Sequence, residues 1–434
     1  MKPARVVLVK PPERSRLNFG AFSLGVLAAA VRQQADVAIL DATSLAVDEA
    51  ARAVLGQHPD FVGVTAMGME SVAPVAAFIR SLRRESPNIA AHLSKGATLT
   101  VIAGGHGATM LPQALLQAGA DAVVVGEGEL TLQQILEDGI VQGMAGVVCL
   151  EGEGILAGPG RRPVRPLDRL PLPARDLMPG PPDGVHLIET SRGCPHACTF
   201  CEATLFHGRV WRPHSAARVA LEAAHLVEDY GAWIIHFADD NFAADPDRVL
   251  EICDRLRGGP LPALILASGR ADDILADHRV IPAMAGARIL RVSVGVETTE
   301  PALAGATGKS IPIDGYREAF ARMREQGMFS LASFIVGLPG ETGEMRRRAV
   351  QLAIESGADA ARFLPFLPLP GTPLAAERTG SAPDPADVQE AERFTSMFFE
   401  SAVVRERLTQ AARAGGVRGL LARGALREAG QLEG

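Results

Sequence analysis

Five cysteines occur in 434 residues, and three of them lie in one stretch, Ser191-Arg192-Gly193-Cys194-Pro195-His196-Ala197-Cys198-Thr199-Phe200-Cys201-Glu202. The spacing is Cys-x-x-x-Cys-x-x-Cys. Thiolates are soft ligands that suit iron–sulfur clusters and zinc. Three close thiolates with no fourth cysteine nearby suggest a cubane cluster with one iron left open to a small-molecule ligand. A structural zinc is normally closed by four ligands, so a nearby histidine would have to complete it. His196, His207 and His214 flank the stretch, and packing or hydrogen bonding is the expected role of each. Cys149, in an apolar run, and Cys253, in mid-helix, read as core residues.

The elements that must position this loop follow from the pattern around it. Val185 to Thr190 reads as a short strand, so the cysteines leave a strand's C-terminal end, where α/β enzymes place their chemistry. Strands and helices alternate beyond it. Trp233–Phe237, Leu264–Ser268, Ile289–Val294, Phe329–Val336 and a strand opening at Ala361-Arg362-Phe363 follow, with helices at Ser215–Tyr230, about Pro246–Arg257 and Tyr316–Gln326. Polar residues recur where these strands end: Asp239-Asp240, Ser268 with Arg270, Glu297, and Gly337. Each taken alone could be a solvated loop residue or a helix cap.

The first third alternates in the same way. Strands are expected at Val6–Val9, Val37–Asp41, Phe61–Thr65, Leu99–His106 and Asp121–Val125, with helices between them. This predicts a parallel sheet with ligands beyond its carboxyl edge. Gly-rich turns mark that edge: Asn18-Phe19-Gly20, Gly63-Val64-Thr65, Gly104-Gly105-His106-Gly107 and Gly126-Glu127-Gly128-Glu129. A hairpin edge near Gly146–Ile155 is followed by a Pro/Arg-rich interdomain crossing. After about Ala375 the strand pattern stops, and helices are expected at Pro383–Arg393 and Phe394–Ala414. Fraying is expected from Gly415 onward.

Taken together, the cysteine stretch with its aromatic Phe200, the six-strand series and the upstream glycines resemble the radical S-adenosylmethionine (SAM) enzymes. They resemble in particular the methyltransferase-like subclass with an N-terminal cobalamin-binding domain. The resemblance runs over roughly residues 5 to 375. It implies an α/β architecture: a doubly wound, Rossmann-like cobalamin-binding domain (1–145), a linker (146–184), a partial six-stranded β/α barrel (185–375) and a C-terminal helical region (376–434). By this resemblance Cys194, Cys198 and Cys201 hold a 4Fe–4S cluster. Phe200, Asp239, Asp240, Ser268, Arg270, Glu297 and Gly337 would contact SAM. Asp239 and Asp240 are assigned to its amino group, and Gly337 to a backbone passage under adenine. Asn18, Phe19, Thr65, Met67, Met69, Glu70, Gly104, Gly105, His106, Gly126 and Glu127 would line the cobalamin site. The C-terminal helices would cover the substrate side of the barrel.

One departure matters. The Asp-x-His-x-x-Gly motif, whose histidine ligates cobalt in mutase-type domains, is missing; the corresponding loop reads Arg16-Leu17-Asn18-Phe19-Gly20. A lower-face residue would then come from Met67-Gly68-Met69-Glu70.

The implied reaction is reductive cleavage of SAM to a 5′-deoxyadenosyl radical, hydrogen abstraction from an unactivated carbon, and methyl transfer from cobalamin. Cobalamin-dependent cyclisation or oxidation, a domain that has lost cobalamin, and a non-catalytic zinc protein are the alternatives. The expected partners are a small organic substrate and an electron donor such as flavodoxin or ferredoxin. A net charge of −7 without like-charge blocks argues against a nucleic-acid surface. No apolar run reaches the length of a membrane span, no signal peptide is legible, and the clustered cysteines suit a reducing cytoplasm.

Overall fold

Val6, Val7, Leu8 and Val9 are fully buried, as expected of a strand covered on both faces. They belong to the first of two units in the computed structural model, Met1–Asp183 and Gly184–Gly434. The structure describes residues 3–13, 20–86, 99–152, 154–181, 183–208, 210–377 and 382–430.

The first unit is a seven-stranded sheet. Its strands are β1 (Ala4–Lys10), β2 (Ala35–Asp41), β3 (Phe61–Thr65), β4 (Thr100–Gly104), β5 (Ala122–Val124), β6 (Val147–Glu151) and β7 (Gly154–Ala157), in the order β2-β1-β3-β4-β5-β6-β7. The first five in that order pair in parallel; β6 and β7 add on antiparallel. Strand order reverses between β1 and β3, so this doubly wound sheet opens its crevice where the loops after those strands diverge. Two apolar layers cover its faces, one built on Val7, Val9, Val62 and Val101, the other on Val6, Leu8, Ile102 and Val124. The segment read as a linker is drawn into this unit. Its β6–β7 hairpin extends the sheet, and Arg32 pairs with Asp176 at 2.8 Å.

The second unit contains β8 (Val185–Ile188), the two-residue ribbon β9 (Ser191–Arg192) and β10 (Arg212–Pro213), and then β11 (Ile234–Phe237), β12 (Leu264–Gly269), β13 (Ile289–Glu297), β14 (Phe329–Val336) and β15 (Ala360–Pro365). Six strands form one all-parallel sheet, β15-β14-β13-β12-β11-β8. Helices return the chain between strands. Ser215, Asp245 and Thr342 cap three of them by accepting from the backbone N–H three residues on. Along β13, Val292, Val294 and Val296 are buried in the main core while Arg291, Ser293, Gly295 and Glu297 are half buried on the other face.

The tail departs from expectation. The helix Pro385–Glu400 covers the free edge of β15: Phe363 N–H donates to Thr395 Oγ1 at 3.1 Å, and Phe394 packs edge-on against Phe363. The helices Ala402–Ala414 and Gly416–Glu428 then lie at the amino ends of the strands, away from the cysteine loop. There Arg407 donates to the Ala358 carbonyl, and Arg418 pairs with buried Asp359 at 2.6 Å. These two helices therefore close the opposite end of the barrel, not the substrate side. The segment expected to fray is ordered by Ala422 and Leu426, which join the barrel core.

Candidate functional site

The cysteine loop is fixed before any ligand is considered. Gly193 turns the chain at φ +79°, where an added Cβ would meet the Val210 carbonyl oxygen at 2.5 Å. Thr199 then ties the loop to two neighbours. Its N–H donates to Thr307 O at 3.1 Å, its hydroxyl to Ala306 O at 2.6 Å, and its carbonyl accepts from Leu374 N–H at 3.0 Å. Phe200 packs on Leu303, Leu338, Phe366 and Leu374. It anchors the loop from below, a use of the aromatic residue that explains it without a ligand.

The three thiols are half buried. Burial pushes the Cys194 thiol up, and it pushes Cys201 up to about 11, with the negative charge of Asp240 adding to both. Metal binding must therefore displace protons here. Polar donors face the sulfurs. Arg270 Nη1 donates to Cys198 Sγ at 3.4 Å, and Asn241 lies close enough to Cys194 to favour its thiolate. Asp273 Oδ2 receives both Asn241 Nδ2 at 2.6 Å and His196 Nε2 at 2.7 Å. The Arg270 N–H donates to Asn241 Oδ1 at 3.3 Å, and its guanidinium forks onto Asp272. The loop ends after β11 and β12 are thus wired to two of the three cysteines. Sequence reading passed over Asn241 and Asp273. Asn241 directly follows the Asp239-Asp240 pair, but Asp273 lies in a short helix whose acids look like ordinary first-turn residues.

This arrangement fits an iron–sulfur cluster. Three soft donors share one loop, and cationic and amide donors lie against the sulfurs, where they stabilise added negative charge. Replacing Arg270 with glutamine should make the cluster's reduction potential more negative by about 60–130 mV. That is the one-electron equivalent of a charged hydrogen bond worth roughly 1.5–3 kcal/mol. EPR-monitored redox titration reads it, and an unmoved potential would remove Arg270 from this role.

Asp239 and Asp240 part company. Asp239 is buried, and its Oδ1 accepts from Thr190 Oγ1 at 2.8 Å and Ser191 Oγ at 2.5 Å. Through Oδ1 it braces the start of the cysteine loop, while its buried Oδ2 has no hydrogen-bond partner among the described residues. Asp240 is exposed, its Oδ2 is 3.9 Å from His207 Nε2, and it lies close enough to Cys194 and Cys201 to raise them. Burial raises Asp239 from 3.8 to about 6 against opposing bonds from Ser191 and Thr190 and the charge of Arg248. Its folded pKa exceeds its unfolded one, so its contribution is greatest below about pH 4 and is lost as pH rises through 6. The loss is about 3 kcal/mol for two units. Asp239→Asn should flatten stability against pH between 4 and 6, read by urea midpoints; an unchanged slope would contradict this assignment.

The remaining strand-end residues fall into two groups. Ser268 is half exposed at the carboxyl end of β12, where its carbonyl accepts from Phe242 N–H at 2.8 Å. Glu297 ends β13 in the left-handed region, φ +63°, at a register shift, and its Oε1 pairs with Lys309 Nζ at 3.1 Å. At Gly337, φ +89°, the side-chain position faces the tail helix. An added Cβ would meet Asp387 Oδ2 at 2.0 Å, so the missing side chain makes room for that carboxylate.

In the first unit the carboxyl edge is built from glycine. Gly105 has φ +102°, and a Cβ there would meet the Ala66 carbonyl oxygen at 2.5 Å and Thr65 Oγ1 at 3.1 Å. Gly104 is open: its Cβ would touch Val124 at an ordinary 3.8 Å. Met67 Sδ accepts from Ser23 Oγ and Thr65 Oγ1, each at 3.7 Å. His106 begins a short helix beside Gly105, and Gly126 N–H donates to Thr109 Oγ1 at 3.1 Å. Met69 is buried, and Glu127 Oε2 accepts from Val164 N–H at 2.8 Å, so these two serve the fold rather than the crevice. The Glu70 carboxylate folds back over Gly68. Asn18 and Phe19 lie outside the described residues. The glycine-lined edge fits a bulky planar ligand that must approach the backbone closely.

Residues 188–353 match the radical SAM superfamily, and residues 19–136 match the B12 binding domain. The chain is 31% identical over 397 residues to the uncharacterized methyltransferase PH0819 of Pyrococcus horikoshii, covering 86% of this chain and 83% of that one. The chain belongs to the cobalamin-binding radical SAM enzymes. Its cofactors are accordingly a 4Fe–4S cluster, SAM and cobalamin. Hopanoid C-3 methylase of Methylococcus capsulatus is 37% identical over 148 residues, covering 30% of this chain and 27% of that one. The anaerobic magnesium-protoporphyrin IX monomethyl ester cyclase of Rubrivivax gelatinosus is 27% identical over 366 residues, and the match covers 78% of this chain and 62% of the cyclase. Among solved structures, the radical SAM methyltransferase TsrM of Kitasatospora setae shares the fold at TM-score 0.70 and 21% identity, over 86% of this chain and 75% of that one. Among the described residues of this radical SAM enzyme, no helix is long and apolar enough to cross a membrane.

Proposed function

We propose that this enzyme methylates an unactivated carbon of a small organic molecule. The observation that carries the reading is the 31% identity, over most of both chains, to a protein named as an uncharacterized methyltransferase. The match to the cyclase is weaker in identity and spans less of the partner. The glycine-built crevice of the first unit, carried in the same chain as a radical SAM barrel, supports a bound cobalamin over a bare scaffold.

When bound, the cluster and SAM supply a hydrogen-abstracting carbon centre, and cobalamin supplies the methyl group. The chain's own part is positional. Cys194, Cys198 and Cys201 hold the cluster. Arg270 bonds the Cys198 sulfur, Asn241 stands beside Cys194, Asp273 and His196 fix Asn241, and Asp239 braces the loop at Thr190 and Ser191. Asp240, Ser268 and the Glu297–Lys309 pair stand at strand ends where SAM would lie. In the first unit Thr65, Met67, Gly104, Gly105 and His106 border the cobalamin crevice. The electron enters from a reductant such as flavodoxin or ferredoxin, and the oxygen-sensitive cluster suits the cytoplasm.

The test is anaerobic turnover with methyl-labelled SAM, a chemical reductant and candidate substrates from neighbouring genes. Label in a carbon-bound methyl group of the product supports the proposal. A ring-closed or oxidised product without label would replace it with the cyclase chemistry.

A further inference from the structure

The inner wall of the barrel carries two arginines that the cluster chemistry does not use. On β13 the residues opposite the buried valines are Arg291, Ser293, Gly295 and Glu297. On β15 Ala361 and Phe363 are buried, and Arg362 and Leu364 are exposed. Register joins these two faces. Ser293 lies beside Ser268 and Leu331, Gly295 beside Ser333, and Ser333 beside Arg362. In a parallel sheet, residues in register share a face, so Arg291 and Arg362 project from the same side.

Buried and half-buried cations of this unit are generally partnered. Arg270 has Asp272, Lys309 has Glu297, Arg346 has Asp387 and Glu390, and Arg418 has Asp359. Arg291 and Arg362 have no hydrogen bond or ion pair with any described residue. By register Arg362 sits two strands across and four residues up from Arg291; burial and the charge of Arg362 both lower the Arg291 pKa, and the charge of Glu428 in the last helix opposes them. Two like charges facing one wall with no ion-paired acid among the described residues repel, and an anion between them removes that cost. Guanidinium is weakly hydrated and presents a planar fork that matches carboxylate and phosphate oxygens. Ser293 and Ser333 add hydroxyl donors on the same face. Leu331 and Leu364, the latter 49% exposed, offer apolar wall beside them.

We propose that Arg291 and Arg362 form an oxyanion site on the inner barrel wall that takes a carboxylate or phosphate group of the substrate. That the ligand is the substrate rests on the methyltransferase reading; that an anion binds does not. Arg291 lies six residues before Glu297, about 20 Å of strand. Arg362, in register with Ser333 and Gly295, lies four residues higher, so the anion is held between these two levels, with the remainder of the molecule directed toward the cysteine loop.

The test uses the full chain with its cluster reconstituted and SAM saturating, so that the SAM carboxylate is not the anion measured. Inorganic phosphate and acetate are titrated calorimetrically into the wild type and into R291Q, R362Q and R405Q. Arg405 is exposed on the tail and serves as the control. The expected result is binding to the wild type and R405Q alike, at least tenfold weaker in R291Q and in R362Q. Tighter phosphate assigns a phosphate group, and tighter acetate a carboxylate. R362Q alters an exposed residue and keeps the test readable if R291Q does not fold; R291K, which retains the charge, should bind better than R291Q. Equal affinity in all proteins overturns the proposal. So does a fall in Tm in E428Q with no anion binding to the wild type, which makes Glu428 the partner of Arg291. SAM cleavage by the wild type is scored separately; its failure would sink the enzyme reading and leave the anion result standing.

Discussion

Cys198→Ser is expected to lower reductive formation of 5′-deoxyadenosine from SAM at least about 100-fold, the equivalent of 2.7 kcal/mol of barrier or more. Cys198 is the cysteine that receives Arg270 Nη1, and its neighbour Thr199 is bonded on three sides. The loop should therefore keep its shape while losing one soft ligand. A serine hydroxyl is a hard, poorly acidic donor and a weak substitute for a thiolate. Iron and sulfide content after reconstitution should fall with activity. Cys253→Ala is the contrast. Its thiol is buried in the core and pushed up to about 12 by burial, so it is inert as a ligand. The variant should keep the full cluster while losing stability to the small cavity it leaves. Equal iron content in Cys198→Ser and wild type would move the cluster away from this loop.

The second large effect belongs to the other cofactor. Gly105→Ala should destabilise the first unit by about 2–5 kcal/mol, combining the left-handed backbone penalty with a forced close contact. The contact is with the Ala66 carbonyl, 2.5 Å from the added methyl group. Cobalamin retention should fall with stability, which by itself does not locate the ligand. Gly104→Ala separates the two. Its methyl group meets only Val124 at 3.8 Å, so Tm should hold. If cobalamin crosses this edge, the same methyl group enters the crevice and weakens binding about tenfold or more. Visible spectra of the protein loaded with cobalamin read the affinity. Unchanged binding in Gly104→Ala would shift the crevice away from β4.

Much of this was legible in sequence because hydrophobic periodicity and turn chemistry are local. The alternation of buried runs and helical stripes gave both sheets, and three thiols within eight residues gave the cluster loop. What was hidden depends on direction and distance. Asp239 and Asp240 are adjacent, yet one turns inward to Thr190 and Ser191 and the other outward beside the cluster. Nothing in two identical letters tells which does which. Gly337 looked like space for a ligand because the carboxylate that fills the space, Asp387, lies 50 positions later in a tail helix. The tail itself was misplaced for the same reason. Its amphipathic pattern shows that one face is buried, but the pairing of Arg418 with Asp359 decides which end of the barrel it buries. Arg291 and Arg362 occupy strand positions where alternation permits any polar residue. Only the register of β13, β14 and β15 places them on one wall.

The central claim is that one chain joins a SAM-cleaving cluster to cobalamin. The most direct measurement is anaerobic reconstitution of the full chain with iron, sulfide and cobalamin, followed by addition of SAM and a strong reductant. The account predicts the EPR signal of a reduced 4Fe–4S cluster, a perturbation of that signal by SAM, 5′-deoxyadenosine as product and a protein-bound cobalamin spectrum in the same sample. Stoichiometric zinc in the cysteine loop, with no SAM turnover and no retained cobalamin, would contradict it.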